Sequence, residues 1–231
     1  MNTFFTFIRR INSLLLFGGL VAFTLLVLWG VGSGIKERNR DVVATAKAPG
    51  AGEELSFRLE EVNDIPGADT QMLKLTASRT QSGIAYSGYE RDTRNILFLS
   101  GDDKAARWLF PNQDHVIHTT GQLQAQDEAD RTAGTDKVTV ALYYRYSDKD
   151  TNGDGEIDND DKTSLGLSKA NGEGFTAVLT EIDRVYSVSL TGNQAISVLY
   201  RVGKHLRHAR YSVGTLGREF DREVTAIPGT E

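Results

Sequence analysis

The chain has 231 residues, 26 Lys and Arg against 31 Asp and Glu, and a net charge of -5. That length can bury a sizeable core without staples. Its lack of cysteine excludes disulfides, thiolate metal centres and cysteine nucleophiles. No stretch combines basic and aromatic residues in the manner of a nucleic-acid platform, so nucleic acid is not expected as a partner.

Residues 14–31, LLLFGGLVAFTLLVLWGV, are eighteen positions without a charge. At about 1.5 Å per residue such a helix nearly spans a hydrocarbon layer of about 30 Å. A cleaved signal peptide shares the charged start, but its apolar region is shorter, and the WGVGSG that follows offers only a weak cleavage site. The expected organisation is a cytoplasmic tail at 1–10, a single transmembrane anchor at 11–32, a linker at 33–53 and a β-domain at 54–231. The linker reading rests on its Gly, Ala, Pro and charged composition, as in TAKAPGAGEE. Arg9 and Arg10 precede the span, while Lys36, Arg38, Arg40 and Lys47 follow it, so charge alone mildly opposes an outside domain. The acidic loop discussed below tips the expectation to an extracytoplasmic domain, periplasmic or on the cell surface.

From Leu55 the pattern has period two. Leu55, Phe57 and Leu59 alternate with polar residues, and 72–77 continues similarly after the turn-like IPGAD. Residues 94–112 read as a hairpin turning at Gly101, Asp102 and Asp103. In 137–147 the alternation predicts a strand with Val138, Val140, Leu142, Tyr144 and Tyr146 on one face and Thr139, Ala141 and Tyr143 on the other. Further short runs at 164–168, 175–179, 185–190, 196–201 and 205–213 are separated by Asn171-Gly172, Thr191-Gly192-Asn193 and Gly203-Lys204. The fold class expected is all-β, an antiparallel sheet domain, propeller-like or a sandwich. Arg201, Lys204, Arg207 and Arg210, with His205 and His208 between, make 201–210 a basic run, read as a solvated strand face.

Residues 150–161, DTNGDGEIDNDD, carry the one spacing that chemistry demands. Seven carboxylates between 148 and 161 face only Lys149. So many like charges repel unless a cation sits among them. With Asp150 first, oxygen-bearing side chains fall at positions one, three, five, nine and twelve, Gly155 at six and Ile157 at eight. The stretch resembles an EF-hand-type calcium loop of the dockerin variety, DxNxDGxIxxxD. That resemblance implies Ca2+ held by Asp150, Asn152, Asp154, the Glu156 carbonyl, Asp158 and Asp161. Starting instead at Asp148 loses the apolar anchor and the closing carboxylate. No helix flanks the loop, so a structural site pinning a hairpin is expected rather than a sensor that swings helices.

Taken in order, NILFLSGDDKAARWLF, ALYYRYSDKDTNGDGEIDNDD, SLGLSKANGEGFTAVL and VYSVSLTGNQAISVLYRVGKHLRHARYSV resemble blades of TolB-like β-propellers. At about 40 residues per blade, 54–231 supplies at most four. The pairs His115/His118 and His205/His208 have HxxH spacing, but a strand sends such residues to opposite faces. No G-x-S-x-G elbow, phosphate-cradling loop or H-E-x-x-H occurs. The functional expectation is therefore a membrane-anchored, extracytoplasmic, calcium-binding β-domain, not an enzyme. It would act as a non-catalytic binding or accessory subunit with a protein partner or as a homo-oligomer. The alternatives are a hydrolase with carboxylates drawn from distant strands and a calcium-responsive regulator.

Overall fold

The structure is a computed structural model that describes residues 42–47, 54–80, 92–125 and 137–228. The expected tail and anchor at 1–32 lie outside the described residues. Among the described residues no helix is long and apolar enough to cross a membrane.

Alternating apolar and polar residues closed by turn-forming dipeptides make the described residues all-β. Fourteen strands are described. They are β1 (Val42–Lys47), β2 (Glu54–Leu59), β3 (Asn63–Asp64), β4 (Thr70–Thr80), β5 (Asp92–Ser100), β6 (Ala105–Trp108) and β7 (Val116–Ala125), then β8 (Val138–Ser147), β9 (Thr163–Lys169), β10 (Thr176–Ile182), β11 (Arg184–Thr191), β12 (Ala195–Val202), β13 (His205–Ser212) and β14 (Arg218–Ala226). A ten-stranded sheet runs β1-β2-β4-β5-β7-β8-β9-β10, with β3 on β4 and β6 on β5. A second sheet is the meander β11-β12-β13-β14. Strand β1 falls inside the stretch that composition marks as a linker.

The large sheet forks at β5. Its second half pairs with β6, while β7 touches it through the single register pair Thr93↔Ile117. Asn95, fully buried at the fork, supplies what the missing ladder does not. Its Oδ1 accepts from the amides of Ile96 (2.9 Å) and Phe110 (3.0 Å), and its Nδ2 donates to the carbonyls of Phe110 (2.9 Å) and Asn112 (3.0 Å). One side chain thus does the hydrogen bonding of an extended backbone residue.

Strand β8 is apolar on both sides because both of its faces are covered. Leu142, Tyr144 and Tyr146 enter a core with Ile96, Phe98 and Phe110. Ala141, with Val140 and Tyr143, joins a second core on the other side. Period two alone puts Val140 with Leu142. A register shift between Leu123 and Gln124, opposite Ala141 and Thr139, instead gives β8 an additional residue at Val140 and turns it toward the Ala141 side.

That second core is common to the two sheets. Leu123, Leu165, Leu167 and Leu179 come from the large sheet, and Ile196, Val198, Ala209 and Tyr211 from the small one. On β9 the leucines face this core, while Gly166 and Ser168 face the other. Ser168 meets the Tyr144 hydroxyl at 2.8 Å, and Gly166 lies under the Phe175 ring.

Candidate metal loop

The loop 150–161 joins β8 to β9 at a tied base. Ser147, buried at the end of β8, donates through Oγ to the Lys162 carbonyl (3.1 Å). Having spent its proton, that Oγ accepts from His118 Nε2 at 2.8 Å, which places the imidazole proton on Nε2. Burial, and then the neighbouring Arg145, hold the His118 pKa below its ordinary value.

Within the loop Asn152 and four acids, Asp150, Asp154, Asp158 and Asp161, engage backbone amides. Asp150 accepts from Gly153 N through Oδ1 (2.6 Å) and from Gly155 N through Oδ2 (2.8 Å), so the chain winds around the first residue. Asn152, Asp154 and Asp158 each accept from the amide two residues on, at 3.0, 2.8 and 2.8 Å. These are successive Asx turns. Gly153 and Gly155 have φ of 81° and 91°, and a Cβ at either would meet nothing within 4 Å. Glycine is therefore needed for its left-handed backbone, not for lack of space.

Asp161 closes the loop and is its most buried acid, 6 % exposed. Its Oδ1 accepts from Thr151 N (2.5 Å), Thr151 Oγ1 (2.9 Å) and Asn152 N (3.3 Å), and its Oδ2 from Asp158 N (3.0 Å). Burial pushes its carboxyl up, but the hydrogen bonds from Thr151, Asp158 and Asn152 outweigh it and leave the pKa below the ordinary carboxylate value.

The sequence-derived ligands Asp150, Asn152, Asp154, Glu156, Asp158 and Asp161 thus share one loop. Among the described residues, however, no three Asp, Glu, His or Cys side chains converge on a point able to hold a metal ion. The donor set is nonetheless all oxygen, as a hard cation requires. The oxygens of Asp150, Asp154 and Asp158 that take one amide each, and Asp161 Oδ2, keep a further lone pair, whereas Asp161 Oδ1 is already filled by three donors. In that chemical respect the residues fit calcium.

The histidine pairs divide as strand geometry dictates. His115 stacks on Phe110 (centroids 3.9 Å, planes 1° apart), while His118 turns to Ser147. His205 meets Glu223 at 3.0 Å and His208 meets Ser197 at 2.8 Å. The basic run 201–210 is likewise no single face. Arg207 and His205 share the inward side of β13 with the buried Ala209 and Tyr211, and His208 and Arg210 take the outward side.

No family model and no curated protein matches the chain. Among solved structures it is similar to a luciferin-regenerating enzyme at a TM-score of 0.33 and 10 % identity. The match covers 80 % of this chain and 61 % of that one. A likeness at this level transfers no activity. The functional expectation drawn from sequence, a membrane-anchored, non-catalytic binding or accessory subunit, is withdrawn: the solved structure named here is that of an enzyme, and neither it nor the family and curated-protein comparisons support an accessory role. The physical reason is that an acidic loop names a ligand without naming a task. Missing linear motifs say little about groups that folding gathers from separate strands.

Proposed function

We propose that the loop 150–161 is a calcium site that fastens β8 to β9. The observation that supports it is the closure of the loop on its own first and last acids. Asp150 gathers the amides of Gly153 and Gly155, and Asp161 reaches back to Thr151 and Asn152. Asp150, Asn152, Asp154, Asp158 and Asp161 would hold the ion with their side chains, and Glu156 with its carbonyl. The ion supplies charge neutralisation to a segment in which six negative charges are in excess, seven acids against Lys149. Because the loop joins two strands, binding stiffens a hairpin rather than exposing a groove. For the architecture we favour a two-sheet sandwich over separate propeller blades. The core common to both sheets and the continuity of the ten-stranded sheet support that choice.

Scanning calorimetry of the full-length protein tests the metal reading. Calcium should raise Tm relative to chelator, with about 1.4 kcal/mol of stabilisation when the free ion is tenfold above Kd. The paired replacement Asp150→Ala and Asp154→Ala should abolish that increment. An unchanged Tm of the parent protein at millimolar calcium overturns the proposal.

A further inference from the structure

Beyond β10, the last strand of the large sheet, the inner side of β12, β13 and β14 opens into a groove of about 540 Å³. This is the size of a small-molecule site. Val178, Leu179 and Ile182 of β10 and Val202 of β12 give it an aliphatic floor.

Its wall is a polar network drawn from three strands. Asp221 of β14, its side chain only 15 % exposed, accepts the Tyr200 hydroxyl at 2.7 Å on Oδ2. On Oδ1 it accepts Arg207 Nε at 3.1 Å and Nη2 at 3.0 Å. A second guanidinium, that of Arg218, stands 3.7 Å from Oδ2, beyond hydrogen-bonding distance. One carboxylate therefore faces two guanidiniums, and the exposed Arg218 keeps its donors. The other acid of the groove, Glu223, is turned to His205 at 3.0 Å.

Such a network is a weak device for stability, since removing charges from water costs about as much as pairing them returns. It is a good device for recognition. A fixed Arg207 and an adjacent Arg218 with free donors present the planar fork that carboxylates accept bidentately. The aliphatic floor beside it selects for an apolar body.

We propose that this groove binds an amphipathic monoanion, its carboxylate on Arg218 with Arg207 alongside, and its apolar body on Val178, Ile182 and Val202. This site is separate from the calcium loop and does not depend on it. A bound cation is disfavoured by the two guanidiniums. A wholly apolar ligand would cover the polar wall without satisfying it.

Calorimetric titration of the full-length protein with 4-phenylbutyrate and with its uncharged counterpart 4-phenylbutanol provides the test. The acid should bind at least tenfold more tightly than the alcohol. Arg218→Ala, at an exposed position, should leave Tm unchanged and erase that preference. Glu223→Gln should tighten the acid by removing a repelling charge. Equal affinity for acid and alcohol in the parent protein, an acid affinity unaltered by Arg218→Ala, or the absence of binding at millimolar acid would each overturn the assignment.

Discussion

Thr151 and Asp161 close the loop between β8 and β9 on each other. Both the amide and the hydroxyl of Thr151 donate to Asp161 Oδ1, at 2.5 and 2.9 Å, and Thr151 Oγ1 in turn accepts from Lys162 N at 2.8 Å. The carboxylate satisfies four donors from its partly buried position, so its removal leaves several amides without a partner. In chelator, Asp161→Ala should lose about 2 kcal/mol of stability by denaturant unfolding, and Thr151→Val about 1 kcal/mol. Equal stability of Asp161→Ala and the parent would show that the loop closes without this acid.

Gly166 and Phe175 are matched in size across β9 and its following turn. A Cβ at Gly166 would lie 2.4 Å from Phe175 Cε2. The ring has little room to give way, with Phe110, Tyr144 and Tyr146 at centroid distances of 5.2, 5.8 and 6.0 Å. Gly166→Ala should therefore cost about 1–3 kcal/mol through overpacking. Adding Phe175→Leu should recover part of that loss in a double-mutant cycle, and strict additivity would rule out the clash as its cause.

The buried pair Tyr144 and Ser168 predicts an asymmetry. Their hydroxyl oxygens are 2.8 Å apart, and Ser168 Oγ also donates to the Lys169 carbonyl at 3.0 Å. Tyr144→Phe leaves Ser168 with a partner and should cost about 1 kcal/mol. Ser168→Ala strands a buried phenol and should cost about 2 kcal/mol. Chemical denaturation of both variants checks the order, and the reverse order would contradict the reading of the network.

His115 and His118 make stability depend on pH. For each, burial is the largest influence and holds the folded pKa below the ordinary value of 6.5; around His115, Asp148 and Asp114 oppose it. A depressed imidazole pKa means that the unfolded chain takes up the proton first. Their contribution is accordingly complete above 6.5 and is lost as pH falls from there through the folded values. Urea midpoints measured across that window should decline toward acid, and His115→Phe should flatten the decline. A slope unchanged in His115→Phe would remove His115 as a contributor.

Much of the secondary structure is legible in the chain itself, because strand alternation and turn chemistry are local. The hairpin turning at 101–103 and the strands β8 to β13 lie close to where period two and the Gly and Asn turns put them. Strands β7 and β14 escape that reading. Val116–Ala125 is rich in Thr and Gln, and Arg218–Ala226 lies at the sheet edge, where five charged residues among its nine blur the alternation. The composition of the candidate site is also legible, since twelve consecutive residues supply every expected oxygen. The role of Asp161 as acceptor for both ends of the loop is not, for it depends on backbone amides whose directions only the folded loop defines.

The sequence by itself determined an all-β domain over the described residues, its turns and an acidic loop with calcium-type spacing, each written in neighbours a few positions apart. Only tertiary structure decided which side of β8 carries Val140, because one register shift reverses a parity that alternation alone would keep. Tertiary structure also brought Tyr200, Arg207 and Asp221 together from three strands. Strand register decides that meeting: Tyr200↔Arg207 and Ala209↔Asp221 are settled by turn geometry and core packing, to which no local pattern of residues is sensitive.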